Sequence, residues 1–315
     1  MMKAVIMTAY GNASCLEIQD VEKPMIGENE IFVRVMGSSV NPVDCKVRQG
    51  DVKFISGRKV PRRIGSDYSG IVEEVGRNVK SVKSEDEVFG MVRAFTGDAY
   101  AEFITVTEDQ IALKPKNLNF IEAGVMPLVG LTIYQLFFEV ARVSYGSKIM
   151  INGCSGGIGH IAVQVAKSLN CDITGVCSTK NIEYAKSIGV NHVIDYLKED
   201  ILAHESRYDL FFDAVANLTY KQAKHTLTLK GQYVSSIPSF QNMILAPILN
   251  LISTKKHKKV WVMPDAKNLK ALCGLIEDGK IFPTIERIYP IEEVADAHRH
   301  SETGRVVGKI ALSLS

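Results

Sequence analysis

The sequence predicts an α/β protein of two domains, and three observations carry that prediction. The chain has 315 residues, beyond the size at which one hydrophobic core usually stops growing. Before Leu113 it reads as strands and turns, whereas from Lys148 short apolar strands alternate with helical segments. Glycines at 153, 156, 157 and 159 stand directly between an apolar strand and an apolar helix, where a nucleotide-binding turn would lie.

In the first part, Ile31–Met36, Gly70–Gly76, Glu87–Val92 and Tyr100–Val106 are β-branched runs punctuated by Gly, Asn and Asp, as short antiparallel strands require. The rhythm changes after Pro115, and Glu122 to Val140 is rich in helix formers and apolar residues. Strands are then expected at Ile149–Ile151, Ile173–Cys177, His192–Ile194, Leu210–Phe212, Tyr233–Ser235 and Val260–Met263. Helices are expected between them at Ile158–Leu169, Ile182–Ser187, Tyr220–Leu227 and about Asn242–Leu251. Such alternation builds right-handed βαβ units and a parallel sheet covered on both faces, the doubly wound Rossmann-type architecture. After Pro264 comes one amphipathic helix bearing Leu269, Leu272 and Ile276, then strand-like Arg287–Tyr289 and Lys309–Leu312. This tail is expected to rejoin the β-rich part, which gives residues 1–121 and 265–315 to one domain and 122–264 to the other.

Composition narrows the function. Lys plus Arg number 37 against 35 for Asp plus Glu, so no global positive excess drives binding to nucleic acid or a membrane surface. The expected partner is a small molecule, with no nucleic acid. The longest apolar stretch, Met243 to Ile252, is broken by Pro247 and Asn250 and is too short for a transmembrane segment. No secretory signal is recognisable at Met1-Met2-Lys3, so the default compartment is the cytoplasm. The six cysteines show neither CxxC spacing nor the density of a disulfide framework, and reduced thiols are expected.

The turn from Gly153 to Gly159 brings backbone N–H groups and a helix N-terminus to one place, which suits a pyrophosphate. Where the second strand of the alternating part ends, the chain reads Cys177-Ser178-Thr179-Lys180, with no acid before Glu183. A carboxylate there would bond the ribose hydroxyls of NAD; two hydroxyls and an ammonium suit a 2′-phosphate, so the reading favours NADPH.

With these residues in view, the chain resembles the medium-chain dehydrogenase/reductase superfamily, and within it the zinc-free quinone oxidoreductases of the zeta-crystallin type. The motifs are Val40-Asn41-Pro42-Val43-Asp44, Gly65-Ser66-Asp67-Tyr68-Ser69-Gly70 leading to Glu74-Val75-Gly76, Pro127-Leu128-Val129-Gly130-Leu131-Thr132, the glycine turn followed by Ala162–Lys167, and Gly304-Arg305-Val306-Val307-Gly308-Lys309-Ile310. The resemblance implies a GroES-like β-barrel catalytic domain, a doubly wound Rossmann domain inserted into it, and an active site in the cleft. It places Asn41 beside the nicotinamide and the substrate carbonyl, and Thr132 against the cofactor. Ser155, Gly156, Gly157 and Ile158 would form the pyrophosphate turn, Ser178 and Lys180 would surround the 2′-phosphate, Tyr196 would lie near the adenosine, and Ile237 would pass the nicotinamide. Asp44 and Lys46 could join the site or form a structural turn bond. Ser84-Glu85-Asp86 departs from the family's Gly-Asp turn, so the backbone there must adapt.

A zinc alcohol dehydrogenase needs thiolate and imidazole ligands in the first part. All seven histidines lie at or beyond residue 160; the ligand histidine of the zinc branch would fall at Ser66 and its first cysteine near Asn41, and no four-cysteine lobe exists. No metal is expected. His298 and His300 read as surface histidines and Lys255-Lys256-His257-Lys258-Lys259 as a solvated loop before a strand. The expected activity is hydride transfer from NADPH to a quinone or an α,β-unsaturated carbonyl, with Asn41 polarising the oxygen and Tyr68 or a water giving the proton. The alternatives are an NADPH-binding protein with little turnover and a zinc alcohol dehydrogenase. A homodimer is expected, with Met243 to Ile252 at the substrate pocket or a subunit contact.

Overall fold

A computed structural model describes residues 1–204, 207–236, 250 and 253–314. The chain divides into two compact units, residues 1–131, 263–279 and 283–315, and residues 132–262 with 280–282.

In the first unit β1 (Met2–Met7) pairs antiparallel with β2 (Leu16–Val21), and β3 (Glu30–Val40) follows. Helices α1 (Pro42–Gln49) and α2 (Lys53–Ser56) precede β4 (Arg62–Arg63), which closes the three-stranded sheet against β1. Strands β5 (Asp67–Val75), β6 (Glu87–Met91), β7 (Phe103–Thr107) and β8 (Ile111–Leu113) build a larger antiparallel sheet around β3. Alternation along β3 sends Ile31, Val33 and Val35 into a core with Val72, Val88 and Ile104. The turn before β6 adapts as its sequence demands: Glu85 takes φ 71°, and its N–H reaches the Val72 carbonyl at 2.8 Å.

Helices α3 (Phe120–Gly124) and α4 (Pro127–Tyr134) come next. The passage between units falls at Thr132, whereas the sequence suggested residue 122, and the reason is local. Asn119 and Glu122 form a reciprocal capping box, Gly124 lies so close to β3 that a Cβ on it would sit 2.7 Å from the Gly37 carbonyl carbon, and Leu128 N–H donates to Asp67 at 2.6 Å. The Leu128 bond, the bond from Ser69 Oγ to the Phe120 carbonyl and the close approach of Gly124 tie this stretch to the β-rich unit.

The second unit contains β9 (Lys148–Asn152), α5 (Gly159–Ser168), β10 (Asp172–Cys177), α6 (Ile182–Ile188), β11 (His192–Asp195), β12 (Tyr208–Asp213), α7 (Tyr220–Ala223), β13 (Leu227–Ser235) and β14 (Lys256–Lys259). Its sheet is parallel with order β11-β10-β9-β12-β13-β14, as the alternation predicts.

One expectation fails here. The sixth strand is the basic run itself, and the predicted strand at Val260–Met263 is irregular. His257 points inward, buried, and stacks on Tyr220 with ring centroids 5.1 Å apart, while Lys256 and Lys258 turn their ammonium groups onto the carbonyls of Asn250, Ser253 and Val140. A lysine-rich strand belongs at a sheet edge, where cationic side chains deter further pairing.

The tail returns to the first unit through α8 (Ala266–Glu277), β15 (Ile285–Pro290), α9 (Val294–Glu302) and β16 (Lys309–Ser313). β16 pairs antiparallel with the end of β3, setting Ile310 opposite Val40 and so bringing Lys309 to the residues that follow β3.

Candidate functional site

In the second unit the glycine turn lies between β9 and α5. Gly153 has φ 79°, a left-handed conformation open to glycine, and its N–H and that of Cys154 both donate to the Val176 carbonyl on β10. A Cβ on Gly159 would fall 2.0 Å from the Gly153 carbonyl oxygen, so α5 can start this close to the strand only with glycine there. A Cβ on Gly156 would meet nothing nearer than 3.5 Å, and the N–H groups of Ser155, Gly157 and Ile158 have no carbonyl partner among the described residues. Open space at Gly156 and N–H groups without carbonyl partners at a helix N-terminus fit a dinucleotide pyrophosphate. Two contacts unread in the sequence hold the turn: the ring Nδ1 of buried His160 lies 3.0 Å from the Gly156 carbonyl, and Asn181 donates to Ser155 Oγ at 3.0 Å.

At the end of β10, Ser178 is buried and Lys180 is exposed. The sequence found no acid here, but β11 supplies one, since its register sets Asp195 opposite Cys177. The Thr179 hydroxyl donates to Asp195 at 2.5 Å and holds that carboxyl below the usual carboxylate range. Leu197 N–H and Lys198 also face it, at 3.1 and 3.5 Å. The Thr179 hydroxyl expected to meet a phosphate is therefore used on Asp195, which leaves Ser178 and Lys180. Tyr196 is half exposed beside this corner, its N–H on the Cys177 carbonyl. Thr132 is buried on α4. Ile237 and all of the Met243 to Ile252 segment except Asn250 lie outside the described residues.

In the first unit, the end of β3, α1, β5 and β16 assemble a buried polar network. Asn41 caps α1, and its Nδ2 donates to Asp67 at 2.9 Å and Ser39 Oγ at 3.2 Å, while its Oδ1 accepts from Lys309. Ser39 also donates to Asp67, at 2.6 Å, and the Lys309 ammonium lies 3.8 Å from the same carboxylate. Asp44 accepts from Asn41 N–H at 2.8 Å, Ser66 Oγ at 2.8 Å and the Tyr100 hydroxyl at 3.1 Å. Burial pushes Asp44 up to about 6 and pushes Lys309 down. Asp44 thus bonds the start of α1, Ser66 and Tyr100, and no Asp44–Lys46 turn bond is formed among the described residues. The network members Lys309, Asp67, Ser39 and Tyr100 were not assigned from sequence, although Asp67 and Lys309 stand in motifs that were.

Tyr68 must be corrected. Its side chain is fully buried in the core around β3, and its hydroxyl donates to the Gln110 carbonyl at 3.0 Å. It stands in no position to give a proton to a substrate. His298 is also corrected: it is wholly buried, with Nδ1 3.4 Å from Cys45 Sγ, and burial pushes it down to about 3. His300 meets the Tyr289 hydroxyl at 3.1 Å.

A zinc ion does not fit these residues. Asn41 and Ser66 offer a neutral amide and a hydroxyl where the zinc branch has thiolate and imidazole, and no group of three or more His, Cys, Asp or Glu among the described residues is arranged to hold a metal.

Comparison with known proteins accords with this geometry. Residues 27–116 match the alcohol dehydrogenase GroES-like domain family and residues 188–312 a family described as zinc-binding dehydrogenase. A chloroplast envelope quinone oxidoreductase homolog from Arabidopsis thaliana is 30% identical over 323 residues, covering 99% of this chain and 98% of that protein. The NADPH-dependent alkenal/one oxidoreductase of the same plant is 30% identical over 99% of this chain and 79% of its own. The quinone oxidoreductase structure from Coxiella burnetii superposes with a TM-score of 0.92 at 28% identity, covering 100% of this chain and 99% of that one.

Proposed function

The chain belongs to the quinone oxidoreductase branch of the medium-chain dehydrogenase/reductase superfamily, and from that premise we propose that it is a zinc-independent, NADPH-dependent reductase of quinones and α,β-unsaturated carbonyl compounds. The observation that carries the reading is the cofactor corner of the second unit, a glycine turn whose Ser155, Gly157 and Ile158 N–H groups have no carbonyl partner among the described residues, near Ser178 and Lys180.

When bound, the reduced nicotinamide supplies a hydride to a carbon already made electrophilic by conjugation. Ser155, Gly157 and Ile158 hold the pyrophosphate through backbone N–H groups, with the α5 N-terminus adding positive potential. Ser178 and Lys180 would receive the 2′-phosphate, with the Lys198 ammonium, 3.5 Å from Asp195, offsetting part of that carboxylate's charge. In the first unit, Lys309 and Asp67 fix the orientation of the Asn41 amide. Its N–H on Ser39, the longest bond in that set at 3.2 Å, is the donor a substrate oxygen would take over. With Tyr68 committed to Gln110, water delivers the final proton. The proposal includes a cytoplasmic homodimer; light scattering on the purified protein checks its mass. No helix among the described residues is long and apolar enough to cross a membrane.

The test is NADPH oxidation on adding 9,10-phenanthrenequinone, 1,4-benzoquinone or an alkenal. Steady turnover on at least one is expected, and cofactor binding without turnover across the panel sinks the enzyme reading. Lys180→Ala should weaken NADPH by about tenfold or more and leave NADH nearly unchanged, since it removes one charge-assisted contact to the phosphate. Equal losses for both cofactors would show that this corner does not read the 2′-phosphate.

A further inference from the structure

The loop around α2 combines exposed apolar side chains with concentrated positive charge. Residues 51–63 hold five cations, Lys53, Arg58, Lys59, Arg62 and Arg63, against the single carboxylate of Asp51. At its tip Phe54 is 91% exposed, with Ile55 at 48% and Val60 at 37%. Isolated exposed apolar residues are ordinary, but these belong to one short segment, and the Arg58 guanidinium lies 5.3 Å from the Phe54 ring.

The tip is held outward. On its inner side the Tyr10 hydroxyl donates to the Gly57 carbonyl at 2.8 Å, Lys53 lies over the Tyr10 ring at 4.1 Å, and Arg62 bonds the carbonyls of Ser56 and Phe95. Arg63 is paired with Asp98 at 2.5 Å. Lys53 and Arg62 turn to the inner side, Arg62 close enough to Asp98 to favour its charged form, whereas Arg58 and Lys59 are exposed with no carboxylate partner among the described residues, so their charge faces outward.

We infer that this loop docks the protein on the surface of an anionic lipid bilayer, with Phe54 and Ile55 inserted at the headgroup level and Arg58 and Lys59 on lipid phosphates and carboxylates. An apolar tip inside a cationic rim answers the two components of such a surface, whereas a nucleic acid would leave Ile55 and Val60 in water. The attachment is peripheral and reversible, since so small an apolar area is no permanent anchor. It is independent of the reductase reading, and its test needs no turnover.

The test is co-sedimentation of the full chain with phosphatidylcholine vesicles, with and without roughly a third phosphatidylserine. Binding should require phosphatidylserine and fade as salt rises from roughly 0.05 to 0.5 M. Phe54→Ser/Ile55→Ser and, separately, Arg58→Ala/Lys59→Ala should each weaken it by about tenfold or more, with unchanged thermal midpoint and NADPH binding. No binding to either vesicle overturns the inference, as does equal binding to both. So does a Phe54→Ser/Ile55→Ser protein that sediments like the wild type while Lys255→Ala/Lys259→Ala does not, because the basic edge strand would then be the contact. Capture by heparin or single-stranded RNA without vesicle binding also overturns it.

Discussion

Asp44 and His298 are buried titratable groups whose effects on stability run in opposite directions. Asp44 is raised to about 6, so the folded protein keeps a proton that the unfolded chain releases near the ordinary value of 3.8. Its contribution is full below about pH 4 and is lost as pH rises through 6, a change of about 3 kcal/mol. Asp44→Asn should remove that slope from the thermal midpoint measured between pH 4 and 6. It should leave the midpoint at low pH nearly unchanged, because the amide oxygen can keep the Asn41 N–H and Tyr100 bonds while the NH₂ donates to Ser66 Oγ. A wild-type slope retained in the variant would assign the proton elsewhere. His298, pushed down to about 3, stays neutral in the fold while the unfolded chain protonates below 6.5, so its contribution is full above that pH and is lost on acidification. Asp67 has its two oxygens shared among Ser39, Asn41, Leu128 N–H and Lys309, which is why so many charges coexist in one buried place.

Among the elements, the turn before β6 shows a local rule broken. Glu85 occupies the left-handed region at φ 71°, where a side chain costs about 1 kcal/mol relative to glycine. Glu85→Gly should raise stability by about 0.5 kcal/mol after the extra freedom of glycine in the unfolded chain is subtracted. Urea unfolding measures it, and a lower midpoint would mean that the Glu85 side chain makes a stabilising contact. β14 carries a different lesson. Its lysines make poor strand formers by composition, yet His257 inward and lysines folded onto carbonyls give the run a strand's alternation. The strand, turn and helix around Gly153 were legible, because they depend on residues a few positions apart; the capping box at Asn119, equally local, went unread.

For the molecule as a whole, the near balance of charge, formal net +2, conceals local concentration. The exposed cations Arg58 and Lys59 beside Phe54 act on a surface within a Debye length, and an overall count cannot register them. Cofactor and metal give whole-molecule readouts. NADPH at a hundred times its dissociation constant should stabilise the fold by about 2.7 kcal/mol, read as a raised thermal midpoint. A metal chelator should leave NADPH oxidation unchanged. Loss of activity that zinc alone restores would contradict the donor chemistry of Asn41 and Ser66.

The sequence by itself determined the two-part α/β design, the glycine turn at Gly153–Gly159 and the lack of thiolate and imidazole at positions 41 and 66. These follow from periodicity, short spacing or residue type at one position. Only the tertiary structure decided what meets across long separations. It set Lys309 on Asn41, Asp195 beside Thr179, His298 against Cys45, and the Tyr68 hydroxyl on Gln110 inside a core. Closing a loop of 268 residues between Asn41 and Lys309 is the work of β16 pairing with β3, and no local pattern around either residue encodes that register.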